Sequence, residues 1–369
     1  MEINKIHQMD VLDGLNKIKD HTIDMGIVDP PYNVGIDEWD KIKDYKEFCR
    51  KWLNEVVRVI KPNKAIWIFG NQHSIHLIRD ILDGNNDVRF RSQIIWNKGV
   101  GIPNPHKFSN LYEQILYYIK VPSPKILNKF GSYIKSKRTE LKISLKEIGK
   151  LCGEEWYHRG GHLYFETGLV IPTVKQYIKL KEVLNLDDRY DFYFNNHFIF
   201  DLESIGVKWK YDKDKRNKRG WKNCGDVWNI SQLSGTFKER LDHPTQKPIK
   251  LIDRMIKVSS RENDLILDLF SGTGTTSVVC KQLNRRYIGF ELEHKYIEIA
   301  NKRLSQETLH SLSEIQSGDD GGINFTQNPT DSGFSKGKTP LIIAKSDKSS
   351  EDLPSSVPDE LLLTQKGLS

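Results

Sequence analysis

This 369-residue chain predicts an α/β fold on a mostly parallel sheet, interrupted by a helical insertion. Three observations carry that expectation. Apolar, strand-like runs alternate with amphipathic helical stretches at both ends of the chain. A glycine-rich loop, Asp268-Leu-Phe-Ser-Gly-Thr-Gly-Thr-Thr276, joins an apolar strand to a helix. Between the two alternating parts the pattern changes to helix after helix, rich in lysine.

Taken in order, residues 3–8 read as a strand and 11–18 as a short helix. Residues 22–28 form a strand that ends at Asp29. Residues 45–60 have helical spacing at Phe48, Trp52, Val56 and Val59. Lys61-Pro62-Asn63 is expected to break that helix ahead of an apolar strand, 65–70. Residues 74–82 read as a helix, and 91–96 and 112–119 as strands. The alternation returns at 249–258, a helix, and continues as strand 265–269, the glycine loop, helix 276–283, strand 287–290 and helix 295–304. Parts 1–121 and 224–305 therefore make one domain, and 122–223 is an insertion. Residues 306–369 are rich in Ser, Gly, Asp, Thr and Pro, can bury little, and are expected to be disordered. No internal repeat is visible.

Hydrophobic residues make up 37% of the chain, enough for a packed core. No run approaches the roughly 18 apolar residues of a membrane span, and the N-terminus lacks the core of a signal peptide. A soluble cytoplasmic protein with no membrane partner is expected. Cys49, Cys152, Cys224 and Cys280 are far apart, which disfavours a disulfide framework or a zinc site, so no metal is expected. Net charge is +7, yet from Ser305 onward there are five Lys or Arg and ten Asp or Glu. That tail carries −5 and leaves +12 for the preceding part. A basic body suits a polyanionic partner, although the same charge also serves solubility alone.

The glycine loop has a ligand-binding logic. Gly272 and Gly274 let the backbone turn sharply and approach a ligand, and the amides at the helix start offer donors. Glu291 ends the next strand about twenty residues later, the spacing at which nucleotide-binding α/β folds place an acid for ribose hydroxyls. The loop is neither G-x-G-x-x-G nor followed by G-K-[ST], which weakens dinucleotide and ATP readings.

Asp268 to Thr275 with Phe270 at its centre and Glu291 behind, taken with Asp29-Pro30-Pro31-Tyr32 at the end of an apolar strand, resembles the amino-methylating DNA methyltransferases. The resemblance covers about residues 1–120 and 224–305. The catalytic motif precedes the cofactor loop, which is the motif order of the permuted β group of the N4/N6 methyltransferase family. It implies a Rossmann-like, S-adenosylmethionine-dependent methyltransferase fold with circularly permuted motifs. It further implies that Asp268, Phe270, Ser271, Gly272, Thr273, Gly274, Thr275 and Glu291 bind S-adenosylmethionine. His243-Pro-Thr-Gln-Lys-Pro248 resembles the family segment that holds the methionine end of the cofactor, with Thr245 and Lys247 presented to its carboxylate. Asp10 resembles the residue that meets the cofactor's adenine amine, while a lone Asp before a helix also serves as an N-cap. Gln93-Ile-Ile-Trp-Asn-Lys98, Asn104, Lys107-Phe108 and Glu113 resemble a further family segment.

The catalytic motif makes chemical sense. An exocyclic base amine is a poor nucleophile because its lone pair is delocalised into the ring. Asp29 and the Pro30 carbonyl can each accept one of its N–H bonds, favouring a tetrahedral nitrogen with a localised lone pair. Pro30 and Pro31 stiffen the turn, and Tyr32 can stack on a base swung out of the duplex. Asp in the first position is usual for N6-adenine enzymes of this family and Ser for N4-cytosine enzymes. Double-stranded DNA is the implied partner, and the resemblance leaves room for a homodimer and for a cognate restriction enzyme. A DNA-binding regulator that kept the fold is an alternative, against which the intact Asp29 motif argues.

Residues 133–188 depart from the core pattern and resemble a phage-repressor helix-turn-helix. Residues 133–141 would be its first helix, and 144–151 its second, with Ser144 and Glu147 as a capping box. A reading helix would fall near 154–165, interrupted by Arg159-Gly-Gly161, and a helix over 174–184 would follow. Lys208, Lys210, Arg216 and Arg219 lie in a basic stretch, 208–222, that suits DNA phosphates or a solvated loop.

Overall fold

Eight strands hydrogen-bond into one sheet in the computed structural model, which describes residues 1–99, 106, 108–152, 165–167, 172–194, 225–234 and 237–305. The strands are β1 Lys5–Gln8, β2 Ile23–Val28, β3 Ile60–Gly70, β4 Val88–Asn97, β5 Tyr112–Lys120, β6 Val227–Asn229, β7 Leu265–Asp268 and β8 Arg286–Glu291. Their order across the sheet is β1-β8-β7-β2-β3-β5-β4-β6. Neighbours run parallel except at β5, which is antiparallel to both β3 and β4. The helices are α1 Val11–Asn16, α2 Tyr45–Val59, α3 Ser74–Asp83, α4 Pro124–Glu140, α5 Leu145–Cys152, α6 Val174–Leu184, α7 Asp191–Phe194, α8 Ile249–Ser259, α9 Thr275–Gln282 and α10 His294–Ser305.

The side-chain alternation of β3 explains the layers. Ile66 and Ile68 join a core with Trp52 and Val56 of α2 and Ile75 and Ile78 of α3. Trp67 points to the other face, stacks on Tyr117 at 4.2 Å between ring centroids, and donates its indole N–H to Ser259 Oγ of α8 at 3.0 Å. Every residue of β2 is buried, as expected of a central parallel strand covered on both faces.

One strand departs from its expected bounds. Lys61-Pro62-Asn63 does not separate helix from strand; β3 begins at Ile60 and runs through it. The register on β2 jumps from Ile23↔Ile60 to Met25↔Ala65, so the extra residues bulge outward. A bulge tolerates the missing N–H of Pro62 and the positive φ of Asn63, 62°. It also brings Lys61 and Lys64 within 2.9 and 3.3 Å of the buried Asp24 carboxylate. The three-residue strand β6, which pairs with β4, has no counterpart in the sequence reading.

The described part of the insertion has its own core of Leu127, Phe130, Ile134, Tyr177, Leu180 and Phe194. Gly131 is forced by packing, since a Cβ there would lie 2.5 Å from the Glu166 carbonyl oxygen. Ser144 and Glu147 form the expected reciprocal cap at 3.2 and 2.7 Å. The first helix, expected over 133–141, starts nine residues earlier at Pro124, which suits the first turn of a helix. Asn63 Nδ2 donates to the Tyr193 carbonyl at 2.8 Å, and Phe192 packs on His21 at 5.7 Å. These contacts attach α7 to the strand ends opposite those that carry Asp29. Most of the expected reading helix, all four basic residues Lys208, Lys210, Arg216 and Arg219, and the tail 306–369 lie outside the described residues.

Candidate active site

The two motifs far apart in sequence meet because β2 and β7 are neighbours in parallel, with Ile27 opposite Asp268. Both strands end at the same edge, so the Asp29 turn and the glycine loop flank one cleft of about 310 Å³. Ligands of open α/β sheets bind at this carboxyl edge of the strands. Asp29, Pro30, Pro31 and Tyr32 line the cleft, as do Asp10, Thr245, Lys247, Asp268, Phe270, Ser271, Gly272, Thr273, Thr275 and Glu291. Gly274 does not. It starts α9 at a φ of 74°, and a Cβ there would come within 2.9 Å of Ala300 Cβ. Its glycine serves the turn and the packing of α10 rather than a ligand.

The Glu291 carboxylate anchors the loop to the end of β8. Gly272 N–H donates to Glu291 Oε2 at 2.7 Å, and Glu293 N–H to Glu291 Oε1 at 2.9 Å. Gly272 has a φ of 49°, and a Cβ there would lie 3.1 Å from His243 Nε2. Phe270 reaches back between Phe48 and Trp52, at 6.3 and 6.1 Å between ring centroids. Asp10 caps α1 through Leu12 N–H at 2.8 Å and also lines the cleft. Burial pushes the Asp268 carboxyl up to about 7, and burial also raises Glu291.

These features fit S-adenosylmethionine. The buried Asp268 and part-buried Glu291 carboxylates suit its ammonium and ribose hydroxyls, and the glycine at 272 leaves the space a Cβ would take. Asp268, Gly272 and Glu291 are the residues that would hold the group.

The catalytic turn carries a charged cluster. Tyr32 Oη lies 2.9 Å from Asp29 Oδ1 and 3.2 Å from Glu113 Oε2. Lys247 Nζ lies 2.8 Å from Asp29 Oδ2. Its ammonium also lies 3.4 Å from Glu113 Oε2, and the sequence expectation of a cofactor carboxylate partner included neither of these contacts. Burial raises the Asp29 pKa against the opposing pull of Lys247, and Glu113 adds to the rise. Burial would raise Glu113 too, but Lys247 and Lys98 outweigh it and hold that carboxyl below its ordinary value.

Asp40 organises the loop beside the cleft, a contribution that the motif reading missed. It is 1% exposed, and its carboxylate accepts three backbone N–H bonds, from Asn33 at 2.7 Å, Val34 at 2.9 Å and Ile36 at 3.2 Å. Tyr45 donates its hydroxyl to the Pro31 carbonyl at 2.8 Å. The loop after Tyr32 is therefore tied down, and it presents Ile36 and Trp39 to the cleft, with Trp39 stacked on His243 at 6.5 Å. An acid in a loop offers no sequence signal for this, because its partners are backbone amides.

An α/β sheet that joins a glycine-loop cofactor cleft to a proline-stiffened acidic turn defines an enzyme that transfers a group from a nucleoside cofactor to an amine. Residues 23–302 match the DNA methylase family N6_N4_Mtase, and the chain belongs to that family. It is an S-adenosylmethionine-dependent DNA methyltransferase. It is 30% identical over 299 residues to the type II methyltransferase M.HpaI of Haemophilus parainfluenzae, covering 80% of this chain and 72% of that protein. It is 26% identical over 317 residues to M1.MboII of Moraxella bovis, covering 83% and 98%. The solved structure of PvuII DNA methyltransferase, cytosine-N4-specific, superposes with a TM-score of 0.50 at 12% identity, covering 86% of this chain and 91% of that one, a likeness of fold. Among the described residues no helix is long and apolar enough to cross a membrane.

Proposed function

We infer that this methyltransferase modifies the N6 amine of adenine at a specific site in double-stranded DNA. The observation that carries the reading is Asp29, with its carboxylate at the cleft and two prolines behind it, on the strand next to the cofactor loop. The cofactor, when bound, supplies a methyl group made electrophilic by its sulfonium. Asp29 and the Pro30 carbonyl accept the two N–H bonds of the target amine and localise its lone pair. Tyr32 lines the same cleft and offers its ring to a flipped base. The proton shed by the methylated nitrogen leaves toward Asp29. Glu291 and Gly272 orient the nucleoside end of the cofactor, Asp10 its adenine, and Asp268 its ammonium.

Target choice falls to the insertion, in particular the basic stretch 208–222 with Lys208, Lys210, Arg216 and Arg219, which ends three residues before Gly225 and the β6 strand beside Asn97. The type II names of the relatives support a restriction-modification setting with a cognate restriction enzyme, and a homodimer is compatible with it. The test is methylation of duplexes in which adenine or cytosine is the sole candidate base, followed by mass spectrometry of the nucleosides. N6-methyladenine is the expected product. N4-methylcytosine alone would replace the reading with its nearest rival.

A further inference from the structure

Lys247 lies between two carboxylates contributed by elements far apart in the chain. Its Nζ is 2.8 Å from Asp29 Oδ2 and 3.4 Å from Glu113 Oε2, and the side chain is only 7% exposed. The rings of Tyr32, Phe69 and Trp96 surround it at 5.5, 5.1 and 6.0 Å. An ammonium so enclosed persists only with close counter-charges. Lys98, just past β4, faces the other oxygen of Glu113 at 3.4 Å. Tyr32 bridges Asp29 and Glu113 through its hydroxyl. Asp268 on β7 is the further acid across the cleft, and it feels the charge of Asp29. Two ammoniums thus balance the two carboxylates nearest the target amine.

We propose that Glu113 and Lys247 are positioning residues for methyl transfer. The ammonium on Asp29 Oδ2 keeps that carboxylate ionised and oriented, and Glu113 takes a share of its charge so that Asp29 stays basic enough to accept the amine. The proposal rests on Asp29 receiving the target amine, as inferred above. It gives the two residues opposite electrostatic effects on one group. Removing the Lys247 charge withdraws a cation from Asp29, so the carboxyl ionises at higher pH. Removing the Glu113 charge withdraws a neighbouring anion, so Asp29 ionises at lower pH. In the second case the rate still falls, because Lys247 then pairs with Asp29 undivided.

The experiment is the single-turnover rate of methyl transfer against pH, on the duplex that the wild-type enzyme modifies, for Glu113→Gln, Lys247→Met, Lys247→Arg and Asp29→Ala. Cofactor affinity is measured by calorimetry on each. The acid limb should move to higher pH in Lys247→Met and to lower pH in Glu113→Gln, and stay in place in Lys247→Arg. The plateau rate of Lys247→Met should fall roughly 100-fold, the scale of a misplaced contact at a reacting centre. Cofactor affinity should remain within about twofold of wild type, a loss too small to explain the rate. Limbs that stay put or move together would overturn the proposal, as would a Lys247→Met variant whose defect is lost cofactor binding. If Lys247→Met does not fold, the near-isosteric Glu113→Gln decides alone by the direction of its limb. Wild-type turnover by Asp29→Ala would sink the underlying reading; an inactive Asp29→Ala with unmoved limbs would sink only this proposal.

Discussion

Asp40→Ala should separate loop order from fold stability. The carboxylate receives three backbone N–H bonds between 2.7 and 3.2 Å, and Ile42 N–H adds one bond to Asn33 Oδ1 at 2.8 Å that Asp40→Ala leaves in place. Hydrogen bonds to a charged group contribute about 1.5–3 kcal/mol each, so three would amount to roughly 5–9 kcal/mol if additive. They are not additive here. Once the loop opens, its amides regain water and the chain regains conformational freedom, both of which offset the loss. A net shift of about 3 kcal/mol toward the open loop is the working figure, equivalent to roughly 100-fold. Ile36 and Trp39 then leave the cleft, and Trp39 leaves His243. Cofactor affinity by calorimetry and kcat/KM on duplex DNA should each fall by up to that factor. The melting temperature should change little, because the main core does not include this loop. Affinity and kcat/KM both within twofold of wild type would refute the role given to Asp40. A collapse of the melting temperature would show that the residue holds the fold rather than the loop.

Gly272→Val should abolish cofactor binding by calorimetry, since the position has a φ of 49° and its Cβ would meet His243 Nε2 at 3.1 Å. Burial pushes the Asp268 carboxyl up to about 7, and a bound cation favours its ionised form. Cofactor affinity should therefore rise with pH up to about 7 and level off above it, and Asp268→Asn should remove that component of the profile; an identical profile in the variant would exclude the role. Removing residues 306–369 should leave methyl transfer intact, and an inactive truncation would refute the view that this acidic segment is dispensable.

Much of this site was legible because its parts announce themselves locally. The Asp29 turn follows an unbroken apolar strand, and the glycine loop changes period from strand to helix within a few residues. Their adjacency was not legible from periodicity, since only the β2–β7 pairing brings Ile27 opposite Asp268. Pro62 misled for a physical reason: it was read as a break between helix and strand because a proline lacks the N–H a strand needs, but a bulge removes that need. The motif put Lys247 at the cleft but could not show that its ammonium pairs with Asp29 and Glu113, contacts that no spacing encodes. Asp40 escaped because backbone amides leave no mark in a sequence.

The most direct test of the central claim is single-turnover methyl transfer to duplex DNA by Asp29→Ala, with cofactor binding measured on the same preparation. Asp29 shares the cleft with the cofactor loop but makes none of the loop's hydrogen bonds among the described residues. Cofactor binding should therefore survive while methyl transfer disappears. Methyl transfer at the wild-type rate would contradict the account.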